Sequence, residues 1–187
     1  MSRRARIAAL GGGTGLASLL RGLKRAPVDL TAIVTVADDG GSSGRLRREL
    51  GILPPGDIRN CLVALAADES LMGRLFQHRF ADGDLSGHPF GNLFLAALAE
   101  VTGSFDLAVQ ECSRVLKIRG EVLPSPLHHV SLWAERADGR MVCGETRIGA
   151  GDGPCRRGGR APAARGHPPA LRAIAPGGPE RCGPARP

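Results

Sequence analysis

The chain has 187 residues, a single-domain length, with 42% hydrophobic residues, 3% aromatics and no Tyr, so its core must be built from Leu, Ala, Val and Ile. Its charge of +7 is uneven: residues 150–187 hold seven Arg against Asp152 and Glu180, a net of +5, which leaves a nearly neutral body. A nucleic-acid interface read from the whole-chain charge would therefore rest on this tail alone, where no aromatic can stack a base. The sequence contains no run of eighteen apolar residues for a membrane span, and the opening apolar run is too short for a signal peptide. The default expectation is a cytoplasmic protein. The five cysteines, at 61, 112, 143, 155 and 182, are odd in number and lack a CxxC pair. A disulfide framework or zinc site has little support, and Cys61 and Cys112 read as small buried apolar groups.

Arg6–Leu10 reads as a short buried strand running into Gly11-Gly12-Gly13-Thr14-Gly15. Leu16, Leu19, Leu20 and Leu23 then recur at helical spacing up to Pro27. Leu30–Ala37 is an apolar, β-rich run that ends at Asp38-Asp39-Gly40-Gly41-Ser42-Ser43. Strand, glycine loop, helix, strand is the start of a βαβ unit, for which a parallel sheet is expected. A short helix near Arg45–Leu50 ends at Gly51. Pro54-Pro55-Gly56 makes a rigid turn, and Asp57 is placed to cap a helix from Ile58. Leu71, Met72, Leu75 and Phe76 mark a further amphipathic piece. The break Gly87–Asn92 leads into another helix that stops at Gly103, and Ser104 caps the next, with Ala108, Cys112, Val115 and Leu116 inward. Val130–Glu135 alternates, Asp138-Gly139 signals a hairpin turn, and Met141–Thr146 returns. From Ala150 to Pro187, 31 of 38 residues are Gly, Ala, Pro or Arg. That composition predicts a disordered tail, because it cannot bury enough apolar surface to offset backbone entropy. The predicted fold class is α/β, Rossmann-like, with a mostly parallel sheet, flanking helices, a C-terminal β-hairpin and a domain ending at residue 149.

Three polar clusters are candidates for chemistry. The Gly11–Gly15 loop opens a helix, where free N–H groups favour phosphate. Its spacing matches neither a dinucleotide fingerprint nor a P-loop, and a tight turn is the alternative. Asp38 and Asp39 end the second strand, where an acidic residue commonly meets a ribose hydroxyl. Neighbouring residues there point opposite ways, so one Asp faces the cleft while the other caps the following helix, and a shared metal is disfavoured. Ser42 and Ser43 are placed to meet phosphate or to cap. Asp57, Arg59 and Asn60 form a second cluster, His88 and Asn92 a third. His128-His129 lacks partners at metal-ligand spacing.

The stretches GGGTGLASLLRGLK, TAIVTVADDGGSSGRLRRELGILPPGDIRNCLVALA, GHPFGNLFLAALAEVTGSFDLAVQECSRVLKIRGEVLPS and GETRIG strongly resemble the YvcK family of gluconeogenesis factors. That family belongs to the CofD-like superfamily, whose namesake is a 2-phospho-L-lactate transferase of deazaflavin-cofactor synthesis. The resemblance spans roughly residues 5–149. It implies a Rossmann-like fold that binds a nucleotide sugar such as UDP-N-acetylglucosamine, or a dinucleotide. It also implies a cytoplasmic bacterial role in cell shape and cell-envelope precursor supply during gluconeogenic growth. Carried over by motif, Gly12, Gly13, Thr14, Asp38 and Asp39 face the nucleotide, and Ser43, Asn60, His88 and Asn92 line the rest of the cleft. A non-catalytic regulator is the leading expectation, with a cell-envelope precursor enzyme as candidate partner and a homodimer as candidate full-length state. Neither a resident metal nor a nucleic-acid or membrane partner is expected. The alternatives are a CofD-like phospholactyl transferase, which would use Mg2+, and a non-functional fragment; scarce aromatics disfavour a flavin-stacking pocket. The chain departs from the family at Pro126-Leu127-His128-His129 and past residue 149, where family members continue for about as many residues again. A frame shift near residues 150–155 of a GC-rich gene would produce such a tail.

Overall fold

The computed structural model describes residues 4–66, 71–151 and 154–162. The chain divides into two compact units between Leu127 and His128, and the strands from Val130 onward pair only with one another.

The first unit is built on a three-stranded parallel sheet of β1 (Ala5–Gly11), β2 (Val28–Thr35) and β3 (Glu121–Ser125), in that spatial order. Between β1 and β2 lies α1 (Gly13–Leu23). Between β2 and β3 lie α2 (Gly41–Leu50), α3 (Gly56–Leu65), α4 (Leu71–Gln77), α5 (Phe90–Thr102) and α6 (Phe105–Val115). The expected βαβ opening is present and parallel. β3 escapes sequence reading because it is short and contains Pro124, a residue confined to strand edges or ends; it is the edge of this sheet.

Alternation decides which face is covered. Ala9, Leu30, Ala32, Val34 and Val122 share one face and are buried against Leu16 and Leu20 of α1, Ile58, Leu62 and Leu65 of α3, and Val109 and Cys112 of α6. On the other face Leu10 is 73% exposed. The helical period places Leu16 and Leu20 inward, but Leu19 and Val115 lie at the margins of their apolar stripes and stay half-exposed. Helices stop where left-handed glycines end them: Gly51 closes α2 at φ 66° and Gly103 closes α5 at φ 69°. Ser104 caps α6 by accepting the Leu107 N–H.

The second unit is an antiparallel sheet in the order β5-β4-β6, from β4 (Val130–Arg136), β5 (Met141–Cys143) and β6 (Cys155–Pro162), with α7 (Glu145–Gly149) between β5 and β6. The predicted hairpin turns at Gly139, φ 83°. Glu145 and Thr146, expected to extend the returning strand, begin α7 instead. β6 corrects the prediction of disorder from residue 150. Its sequence, Cys-Arg-Arg-Gly-Gly-Arg-Ala-Pro, has no strand propensity, yet it pairs along the whole of β4. Side-chain packing supplies what propensity lacks: a Cβ at Gly159 would stand 3.0 Å from Trp133 Nε1, and Arg157 Nε donates to Glu135 Oε2 at 2.5 Å. The remainder of the predicted tail lies outside the described residues.

Candidate functional site

A cavity of about 240 Å³ opens near the carboxyl end of β2, between the starts of α2 and α3. Asp38, Gly40, Gly41, Ser42, Ser43, Gly56, Asp57, Arg59, Asn60, Arg79, Pro89 and Asn92 line it. Open α/β sheets place their ligands at this end of the strands. A larger depression of about 650 Å³ lies at the opposite strand ends. It is walled by strand segments and by the mixed charges Arg4, Arg6, Asp29 and Glu121, without helix N-termini to orient a ligand.

Of the sequence-predicted residues, Asp38, Ser43, Asn60 and Asn92 line the cavity; Gly12, Gly13, Thr14, Asp39 and His88 do not. Each exclusion has a local cause. A Cβ on Gly12 would stand 2.3 Å from Thr35 Oγ1 and 2.8 Å from Asp57 Oδ2. Gly12 is therefore required for the loop to pack on β2 and α3, whatever is bound. Gly13 adopts φ 66°, which glycine tolerates, and its N–H donates to the Asp57 carboxylate. The Asp57 carboxylate thus stands beside the start of α1.

Asp38 lines the cavity, and its Oδ1 accepts the Gly40 N–H at 2.9 Å. Asp39 does not cap α2: that helix starts on Gly40 with no side-chain cap. The Asp39 carbonyl instead crowds Gly44, where a Cβ would be 2.0 Å away. Asp38 and Asp39 both lie close enough to the half-buried Arg47 to favour its charged form, although burial is the stronger influence and lowers its pKa.

The serines serve as internal ties. Ser43 Oγ accepts the Gly56 N–H at 3.1 Å and joins α2 to α3. Ser42 Oγ accepts from Asn92 Nδ2 at 3.0 Å and lies 2.8 Å from His88 Nδ1. Burial and the positive charge of Arg45 depress the His88 pKa, and the Ser42 hydroxyl shares a hydrogen bond with Nδ1. Asn92 Oδ1 accepts from Arg59 NH1 at 3.1 Å. A hydrogen-bonded chain therefore links Arg59, Asn92, Ser42 and His88, with His88 behind the cavity wall.

The charged lining residues that sequence reasoning left outside its site are Asp57, Arg59 and Arg79. The polar cluster at the start of α3 signalled the first two; Arg79 has no local signal, because only the fold brings it to α3. Burial raises the Asp57 carboxyl most, and the nearby Asp38 charge adds to this. Arg59, 7% exposed, has its pKa lowered to about 10, by burial first and then by Arg79. Its NH2 donates to Asn60 Oδ1 at 2.7 Å, whereas its buried Nε has no partner. Among the described residues no group of three or more His, Cys, Asp or Glu side chains is arranged to hold a metal ion, and no helix is long and apolar enough to cross a membrane.

Fold and cavity define an α/β protein with a polar, charge-lined site at the carboxyl end of a parallel sheet. A family model described as 2-phospho-L-lactate transferase CofD matches residues 7–177. The Bacillus subtilis gluconeogenesis factor is 62% identical over 149 residues, covering 79% of this chain and 47% of that protein. A Nostoc relative is 58% identical over 170 residues, 90% of this chain and 37% of that protein. The crystal structure of a UPF0052 family protein from Bacillus halodurans superposes with a TM-score of 0.83 at 52% identity, over 87% of this chain and 52% of that one. The chain belongs to the CofD family, and within it to the gluconeogenesis-factor (YvcK) group. It spans about half the length, or less, of these relatives. The family match also runs past residue 149, where the motif resemblance was expected to stop.

Proposed function

We propose that this chain is the nucleotide-facing part of a regulatory protein that binds a nucleotide sugar of the UDP-N-acetylglucosamine type and acts in cell-envelope precursor supply during gluconeogenic growth. The carrying observation is the strand-end cavity in which Asp38 stands beside the N-termini of two helices. A carboxylate there suits ribose or sugar hydroxyls, and the helix starts suit a diphosphate. The volume of about 240 Å³ is below the roughly 300–1,000 Å³ of sites that enclose a whole drug-sized ligand. The cavity therefore takes a portion of the nucleotide sugar, and the remainder contacts other surface. Isothermal titration with UDP-N-acetylglucosamine tests this reading. Saturable binding that falls at least about tenfold in Asp38→Ala is expected, since a charge-assisted hydrogen bond is worth about 1.5–3 kcal/mol. Absence of binding, or an unaffected variant, contradicts it.

A second reading, phospholactyl transfer with Mg2+, is favoured by one feature. Asp57, rather than Asp39, joins Asp38 at the cavity, and burial and mutual repulsion raise the Asp57 carboxyl. Mg2+ commonly binds through one or two carboxylates together with ligand phosphates, so this donor pair fits it. Asp38 and Asp57 would hold the ion, which would screen phosphate charge. Phospholactyl transfer to a deazaflavin acceptor distinguishes this reading from the regulator.

A further inference from the structure

The start of α1, where the glycine loop pointed to phosphate, is engaged by Asp57, which accepts the Gly13 N–H. The start of α2 is different. Gly40 caps it without a side-chain bond, and the N–H groups of a first helical turn have no acceptors within the helix. The hydroxyls of Ser42 and Ser43 are committed to His88 with Asn92 and to Gly56. This leaves backbone N–H groups as the donors that α2 offers to the cavity.

A second, independent observation lies on the facing wall. Arg59 is more than nine-tenths buried and lines the same cavity. Its side-chain hydrogen bonds go to two neutral amides, Asn92 and Asn60, and its Nε has no partner. A buried guanidinium is ordinarily held by a carboxylate, because an unpaired buried charge is costly. Asp57 and Asp38 line the cavity too and their charges favour the charged form of Arg59, but neither carboxylate is in ion-pair contact with it among the described residues. Arg79 adds a second cation to the lining. It donates to the Gly87 carbonyl, and neither arginine makes an ion pair among the described residues.

We infer that the cavity is a phosphoryl-group subsite, formed by the backbone N–H groups at the start of α2 (Gly41–Ser43) together with Arg59 and Arg79. The phosphate position thereby moves from the Gly11–Gly15 loop to the Gly40–Ser43 loop. The assignment deepens the nucleotide-sugar reading and rests on it for the identity of the ligand; the same chemistry would accept free orthophosphate. Asn92 and Ser42 hold the subsite rigid by linking Arg59 to α2 through side-chain hydrogen bonds.

Calorimetric titrations of the full chain with inorganic phosphate, UDP, uridine and UDP-N-acetylglucosamine test it. Arg79→Gln serves as the principal variant, because Arg79 is exposed and its loss should spare the fold. Arg59→Lys, which keeps the charge but loses the fork of donors, is the second. Phosphate and UDP are expected to compete for one site. Arg79→Gln should weaken both at least about tenfold, with uridine unaffected. Phosphate binding of this kind without UDP-N-acetylglucosamine binding supports the subsite and rejects the nucleotide-sugar reading. Tight UDP-N-acetylglucosamine binding that phosphate does not compete with, or that Arg79→Gln leaves unchanged, overturns the subsite and leaves the nucleotide-sugar reading standing. Failure of phosphate and UDP alike to bind also overturns the subsite.

Discussion

His88 shows how a single side chain ties the site to the stability of the fold. It is buried, bonds Ser42, and has its pKa depressed by burial and by Arg45 and Arg79, with Glu49 opposing. In the unfolded chain its pKa returns to the ordinary value near 6.5. Between the depressed and ordinary values the unfolded state binds more protons, so stability rises with pH across that window and is lost as pH falls below about 6.5. Urea midpoints at pH 5 and pH 7.5 should therefore differ more in the wild type than in His88→Gln, and equal differences would remove His88 from this role. Part of the cavity lining was legible in the sequence at this scale. Asp38, Ser43 and Asn92 lie at or near strand and helix ends, Asn60 lies one turn into α3, and all four line the cavity. A glycine needed for packing against Thr35 and Asp57, as Gly12 is, leaves the same trace in sequence as one needed for a ligand.

At the scale of elements, glycines control how closely the helices around the cavity approach. Gly91, in the first turn of α5, is the clearest case: a Cβ there would meet Phe76 Cδ1 and the Phe76 carbonyl at 2.8 Å, and Arg59 Cγ at 2.9 Å. Gly91→Ala must push α5 away from α4 and α3 and displace Arg59 with it. Overpacking of this kind costs about 1–3 kcal/mol. The variant should show a lowered urea midpoint together with weakened UDP binding; an unchanged midpoint would contradict the packing. Helices were legible through apolar spacing and terminal glycines, and the parallel β1-β2 pair through its apolar runs. β3 and β6 were not legible. Pro124 breaks the strand signal in β3, and β6 is an Arg/Gly segment whose pairing depends on Trp133 and Glu135 of a strand some twenty residues earlier. Such pairing is tertiary context, which overrides local propensity.

For the whole molecule, the two compact units have different claims on function. The first carries the parallel sheet, the helix starts and the charged cavity; the second is a small antiparallel sheet anchored by Arg136, whose NH2 donates to the Ile148 carbonyl at 2.7 Å. The central claim is that the ligand of this CofD-family chain sits between α2 and α3, with its phosphate on α2 rather than on the glycine loop before α1. Amide chemical-shift mapping by heteronuclear NMR during titration with UDP tests it most directly. The account predicts saturable shifts that are largest at Gly41, Ser42, Ser43 and Gly56, with the Arg59 side-chain N–H responding. Saturable shifts concentrated at Gly11–Gly15 and sparing the start of α2 would contradict it.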